Sequence, residues 1–118
     1  MPLRRLFGVG KVVPMQRTED DQAKVNQAVS SLILYHFERC PFCVMTRRAI
    51  QRLHLPIEER DILKEPLYRQ ELLEGGGRTT VPCLRIEQAS GVHWMYESRD
   101  IIAYLEERFG ESRHRMQV

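Results

Sequence analysis

The residues best suited to chemistry are two cysteines three positions apart, in the run Cys40-Pro41-Phe42-Cys43. A Cys-x-x-Cys pair serves thiol redox exchange or metal binding. The apolar run Leu32–Phe37 precedes it and a helical pattern follows, which places Cys40 at a helix N-terminus. There the free backbone N–H groups and the helix dipole favour an anion such as a thiolate. Arg39 beside it, and Arg47 or Arg48 one turn on, add positive charge at the same end. Pro41 falls just inside the helix start, where its missing N–H and fixed φ cost nothing. Cys43 lies one turn deeper, within reach of Cys40, and is expected to hold its proton more tightly. The labour then divides, with Cys40 attacking a disulfide and Cys43 resolving the mixed disulfide. Two other uses stand beside this one. A structural disulfide would close a very small loop and stabilise little. A zinc site needs two further ligands, and only Cys83 and scattered histidines are available.

The second informative run is Thr79-Thr80-Val81-Pro82. Proline at a strand start cannot donate to the ladder, so it belongs at an edge or irregular position. A cis Val81–Pro82 bond would turn the Val81 backbone outward, free to pair with an extended, peptide-like ligand.

The elements that must position these groups follow from pattern. Thr18 caps a short helix running to Ser31, with Glu19, Asp20 and Asp21 at its positive end. Leu32–Phe37 is continuously apolar, as in a strand covered on both faces. Val44–Leu53 forms a helix with Met45, Ala49, Ile50 and Leu53 on one face, closed by His54-Leu55-Pro56. Ile57–Ile62 is a mixed-polarity edge strand, and Glu65–Glu74 a weaker helix stopped by Gly75-Gly76-Gly77, read as a flexible turn. Val81–Glu87 and Val92–Tyr96 pair as a hairpin across Gln88-Ala89-Ser90-Gly91. Ser98 is the expected N-cap of a last helix carrying Ile101, Ile102, Tyr104 and Leu105 and ending at Phe109-Gly110. The first half is a βαβ unit, so its two strands are expected to run parallel. The expected organisation is an N-terminal extension over 1–30 with a short helix, a domain over 31–110 and a polar tail over 111–118.

Composition narrows the function. The chain has 118 residues, 42% hydrophobic and 29% charged, as for one ordinary globular domain. A formal net charge of +2 gives no basis for tracking a phosphate backbone, so nucleic acid is a poor partner. No apolar run is long enough for a spanning helix. Three cysteines are too few, and odd in number, for a disulfide-stapled secreted scaffold, so a cytoplasmic setting is expected. Arg4-Arg5 and the apolar residues after them look faintly like an export signal. Lys11 interrupts that stretch, Pro14 ends it, and residues 1–17 are read as a basic tail.

The combination of Cys40-Pro41-Phe42-Cys43, Thr80-Val81-Pro82 and a Ser98-started helix after a hairpin resembles the glutaredoxins. It is also similar to the thioredoxin-fold N-terminal domain of glutathione transferases. The resemblance covers about residues 31–109 and implies an α/β thioredoxin-like fold, β-α-β-α-β-β-α, behind an extra N-terminal helix. It implies a cis-proline at Pro82 and glutathione-dependent reduction of disulfides and glutathione mixed disulfides. Glutathione would be a co-substrate, with no tightly bound cofactor and no metal. Carried over position by position, Cys40 is the nucleophile and Cys43 the resolving thiol. The Val81 backbone would meet the cysteinyl part of glutathione, Glu97 and Ser98 the γ-glutamyl end, and Arg78 and Thr80 the glycyl carboxylate. Phe42 would pack on the substrate or line the rim.

The chain departs from the pattern in two places. Phe37 stands where many glutaredoxins carry a lysine, leaving Arg39 as the replacement cation. Tyr96-Glu97-Ser98-Arg99-Asp100 is closer to the transferase style than to the usual glutaredoxin Gly-Gly-x-Asp-Asp. Transferase activity is not expected, since that family's second, helical domain does not follow. Alternative functions are an iron–sulfur cluster carrier using Cys40 and glutathione, and a glutaredoxin-like protein reduced by thioredoxin reductase. Cys83 and His36 are expected to be buried and structural, and Trp94 and Tyr96 to pack on the sheet. His54, His93 and His114 show no ligand spacing.

Overall fold

The computed structural model describes residues 11–110. The start of the expected basic tail, the polar tail over 111–118 and His114 lie outside the described residues. Helix α1, Glu19–Ala28, starts where the Thr18 hydroxyl accepts the Asp21 N–H at 3.1 Å. It does not run on as an α-helix to Ser31. Over Val29–Ser31 it tightens into a 3₁₀ turn, where the Ser30 and Ser31 hydroxyls donate to the carbonyls of Gln27 and Ala28.

Strand β1 is Leu32–His36, helix α2 Pro41–Arg52, strand β2 Glu58–Asp61 and helix α3 Pro66–Gly76. The hairpin strands are β3, Cys83–Gln88, and β4, Gly91–Tyr96, followed by helix α4, Ser98–Phe109. The strand order is β2-β1-β3-β4. β1 and β2 are parallel, as the βαβ reading requires, and the other pairs are antiparallel. Val81 and Pro82, expected inside the third strand, precede it: the ladder starts at Cys83, paired with Tyr35 and Tyr96. This is the thioredoxin-like α/β fold.

Alternation along β1 explains its uniform hydrophobicity. Leu32 and Leu34 enter one core, formed with Ile50 of α2, Leu53 at its C-cap, and Ile101, Leu105 and Phe109 of α4. Tyr35 enters a second core on the opposite face, with Leu72 of α3, Ile62 and Cys83. Truncating a fully buried Leu84 or Leu105 to alanine would cost about 2–5 kcal/mol. The stretch before β1 is joined to the first core. Val29 is buried in it, Met15 packs against it, and the Met15 N–H donates to the Arg52 carbonyl at 2.9 Å.

Two helices end on a residue with positive φ. Helix α2 closes with His54 at φ 57°, its N–H on the Gln51 carbonyl and the Leu55 N–H on the Ile50 carbonyl. Helix α3 does not stop at Glu74: Gly75 and Gly76 are helical and only Gly77, at φ 92°, leaves it. The glycine run is therefore a packing device rather than a loose turn. A Cβ on Gly75 would run into the Trp94 ring, and one on Gly76 into the Tyr96 hydroxyl. Glycine there lets the end of α3 lie directly on β4.

Candidate functional site

Cys40 is the N-cap residue of α2, extended at φ −67° and ψ 117°, with Pro41 in the first helical turn. Its Sγ accepts the Cys43 N–H at 3.4 Å, and its carbonyl accepts the Val44 N–H at 2.9 Å. A sulfur thus occupies the place that serine or aspartate takes in an ordinary capped helix, against backbone donors that have no helical partner. Cys40 and Cys43 are free thiols, both buried; Cys43 is wholly inaccessible while Cys40 keeps 7% of its surface. Burial, reinforced by the Cys40 sulfur, pushes the Cys43 thiol upward, opposed by the Phe37 backbone and, to a smaller extent, by the Arg47 charge. The two sulfurs are therefore unequal, and the more accessible one sits at the helix end.

The Cys40 thiol also lies 4.0 Å from the Val81 carbonyl, and the Val81–Pro82 bond is cis. Val81 and Pro82 form one wall of a groove of about 910 Å³. The groove is also lined by Phe42 and Met45 of α2, Arg78 and Thr80 before β3, Tyr96 at the end of β4, and Glu97, Ser98, Arg99, Asp100, Ile102 and Ala103. Of the residues singled out from sequence, Phe42, Arg78, Thr80, Val81, Pro82, Glu97 and Ser98 come together here. Arg39 does not: it is exposed on the turn before Cys40 and is not part of the lining.

The far end of the groove has its own geometry. Glu97, and not Ser98, is the N-cap of α4, at φ 77° and ψ 114° with no side-chain cap bond. A glutamate there costs about 1–3 kcal/mol of backbone strain, a pattern that clusters at ligand clamps. Ser98 is the first helical residue. Arg78 is held twice by Tyr96: its guanidinium lies 4.2 Å from the ring centre, and its carbonyl accepts the Tyr96 hydroxyl at 2.9 Å. Arg78 and Arg99 against Glu97 and Asp100 give the lining both signs of charge, as a zwitterionic ligand needs.

Sequence reasoning missed Met45, Tyr96, Arg99, Asp100, Ile102 and Ala103 as groove residues. Met45 was expected on the core face of α2 but is 53% exposed. The signal was present as helical spacing: Met45 is three residues beyond Phe42 and Ile102 four beyond Ser98, so each shares its partner's face. Cys83 is fully inaccessible behind Pro82, and burial pushes its thiol up to about 12, which makes it inert. His36 is buried, with Nε2 3.7 Å from Glu59 and Nδ1 without a hydrogen-bond partner among the described residues. No group of three or more His, Cys, Asp or Glu able to hold a metal occurs among the described residues. None of the helices among them is long and apolar enough to cross a membrane.

Residues 34–113 match the family described as glutathione S-transferase, N-terminal domain. No curated protein matches the chain. Among solved structures, the chain is similar to a glutathione S-transferase isozyme from Drosophila melanogaster, at 30% identity and TM-score 0.53 over 68% of this chain and 35% of that one. A maleylacetoacetate isomerase from Anaeromyxobacter dehalogenans, solved with glutathione in its active site, is 26% identical with TM-score 0.53, over 69% of this chain and 38% of that one. A thioredoxin-like protein is 22% identical with TM-score 0.51, over 63% of this chain and 97% of that one, a likeness of fold alone. The chain thus spans little more than a third of the length of the transferase and the isomerase.

Proposed function

Because the chain belongs to the glutathione S-transferase N-terminal domain family, we propose that its groove binds glutathione and that Cys40 uses it in thiol–disulfide exchange, as a glutathione-dependent disulfide oxidoreductase. The observation that carries the reading is the Cys40 sulfur capping α2 beside the carbonyl of Val81, a residue that lines a groove of mixed charge while Cys40 lies just behind the lining. A transferase chemistry needs no second thiol, whereas here Cys43 lies one turn behind the first.

In the proposed reaction the Cys40 thiolate attacks the sulfur of a glutathione mixed disulfide. The partner thiol leaves and takes a proton, and Cys40 becomes glutathionylated. A second glutathione, or Cys43 when the substrate is a protein disulfide, then displaces the group on Cys40. The Val81 backbone pairs with the cysteinyl part of the tripeptide. The Glu97 carboxylate takes the γ-glutamyl ammonium, and Ser98 with the α4 N-terminus takes its carboxylate. Arg78 and Thr80 face the glycyl carboxylate. Arg39, on the turn, acts only through its field. Glutathione is consumed and regenerated as co-substrate.

The test is turnover of a glutathionylated peptide with glutathione and its reductase, against turnover with thioredoxin reductase. Cys40→Ser is expected to abolish the first and Cys43→Ser to retain it. Turnover surviving in Cys40→Ser, or running only with thioredoxin reductase, would contradict the proposal.

A further inference from the structure

Beneath the start of α2 lies a charge that the groove does not use. Arg47 is four residues after Cys43 on the same helix, so the two side chains share a face. Its Nη2 donates to the Glu38 carbonyl at 3.0 Å, which ties it to the turn carrying Arg39 and Cys40. Its Nε is buried and has no hydrogen-bond partner among the described residues. An N–H of a guanidinium left unpaired away from water is costly and asks for a reason. Among the described residues no carboxylate forms an ion pair with it, whereas Lys64 above the same turn is paired with Glu38 at 3.0 Å.

We infer that Arg47 is a positioning residue for the resolving step, its unneutralised charge supporting the Cys43 thiolate as it forms. The inference rests on the dithiol reading above. Cys43 gives up its proton as its sulfur attacks Cys40 Sγ, the Cys40–Cys43 bond forms, and the group on Cys40 leaves as a thiolate and takes up that proton. The charged groups around this pair are few. Cys40 adjoins Cys43 at the helix end; His36 of β1, with Glu59 and Asp61 of β2 behind it, faces Arg47, as does Lys64. Arg47 lowers the cost of charge on Cys43 and raises it on His36.

A magnitude follows. Each unit by which the Cys43 thiol rises on loss of Arg47 cuts its thiolate about tenfold below the midpoint. Intrinsic nucleophilicity rises with basicity and returns about threefold, leaving a net loss of about threefold. The probe is dithiodipyridine, which needs no glutathione site. Attack by Cys40 releases one thiopyridone, and resolution by Cys43 releases the second, more slowly. Arg47→Met is expected to slow the second phase about threefold across the neutral range and the first by less. Arg47→Lys, which keeps a charge, restores it, and Cys43→Ser abolishes it. An unchanged second phase in Arg47→Met, or equal slowing of both phases in Arg47→Met and Arg47→Lys alike, would overturn the inference. If both phases behave as expected but no glutathione turnover occurs, the failure lies in the glutathione reading and not in Arg47.

Discussion

Two helices begin at this groove, and they begin in opposite ways. Helix α2 starts on a sulfur, buried, with its cap bond made to the Cys43 N–H. Helix α4 starts on an exposed glutamate at positive φ, with its cap bond unmade. The same electrostatic feature, free N–H groups at a helix end, is spent at α2 on a reactive group of the chain itself. At α4, where the proposed ligand would bind, the cap side chain makes no use of it. At the first, the cap bond to the nearly buried sulfur works against the cost of burying a charge there. Openness suits the second, where a charged ligand must exchange with water.

The contrast predicts how each end fails. Replacing Cys40 by serine removes the chemistry, and no concentration of glutathione restores it. Glu97→Gln removes one charge-assisted hydrogen bond from a solvated position, worth about 1.5 kcal/mol. It is expected to raise KM for glutathione about tenfold while kcat stays within about twofold. Steady-state kinetics over a glutathione series separates the two. A fall in kcat at saturating glutathione in Glu97→Gln would erase the distinction between the ends. Gly76→Ala reaches the α4 end from behind, since the added Cβ drives the Tyr96 hydroxyl off the Arg78 carbonyl. A loss of stability of about 1–3 kcal/mol is expected in denaturant unfolding, with KM raised and the rate of Cys40 alkylation unchanged.

The smallest effect belongs to the dry end. Burial holds the His36 imidazole below its ordinary range, and Arg47 adds to this against Glu59. In the unfolded chain that histidine binds a proton near pH 6.5, and in the folded one only at lower pH. Stability is therefore whole above about pH 6.5 and declines as pH falls toward the folded value. His36→Gln is expected to flatten that part of the stability–pH curve, and an unaltered slope would remove His36 from the account.

How far the sequence foretold this differs from element to element, for physical reasons. The β1 run, the Thr18 cap and the hairpin are local patterns, each readable from its own residues, although Gln88 and Gly91, read as loop, pair in the ladder and leave only Ala89 and Ser90 to turn. Cys40 at a helix start was readable because Pro41 marks the first turn. The role of Gly75 and Gly76 was not, because it depends on Trp94 and Tyr96 arriving from a strand well beyond them in the chain. Met45 was assigned to the core because apolar character at helical spacing does not separate a core stripe from a groove wall. The Glu97 cap was missed because serine is the better cap by intrinsic preference, and the tertiary turn after β4 overrides it. Seven of the residues named from sequence line one groove, while Arg39 does not reach it, since a turn exposes its side chain.

The most direct test of the central claim is the intact mass of the Cys43→Ser protein after incubation with oxidised glutathione, followed by peptide mapping. The account predicts a single glutathione adduct, on Cys40, whose formation slows when Glu97→Gln is added. No adduct, or one that maps to Cys83, would contradict it.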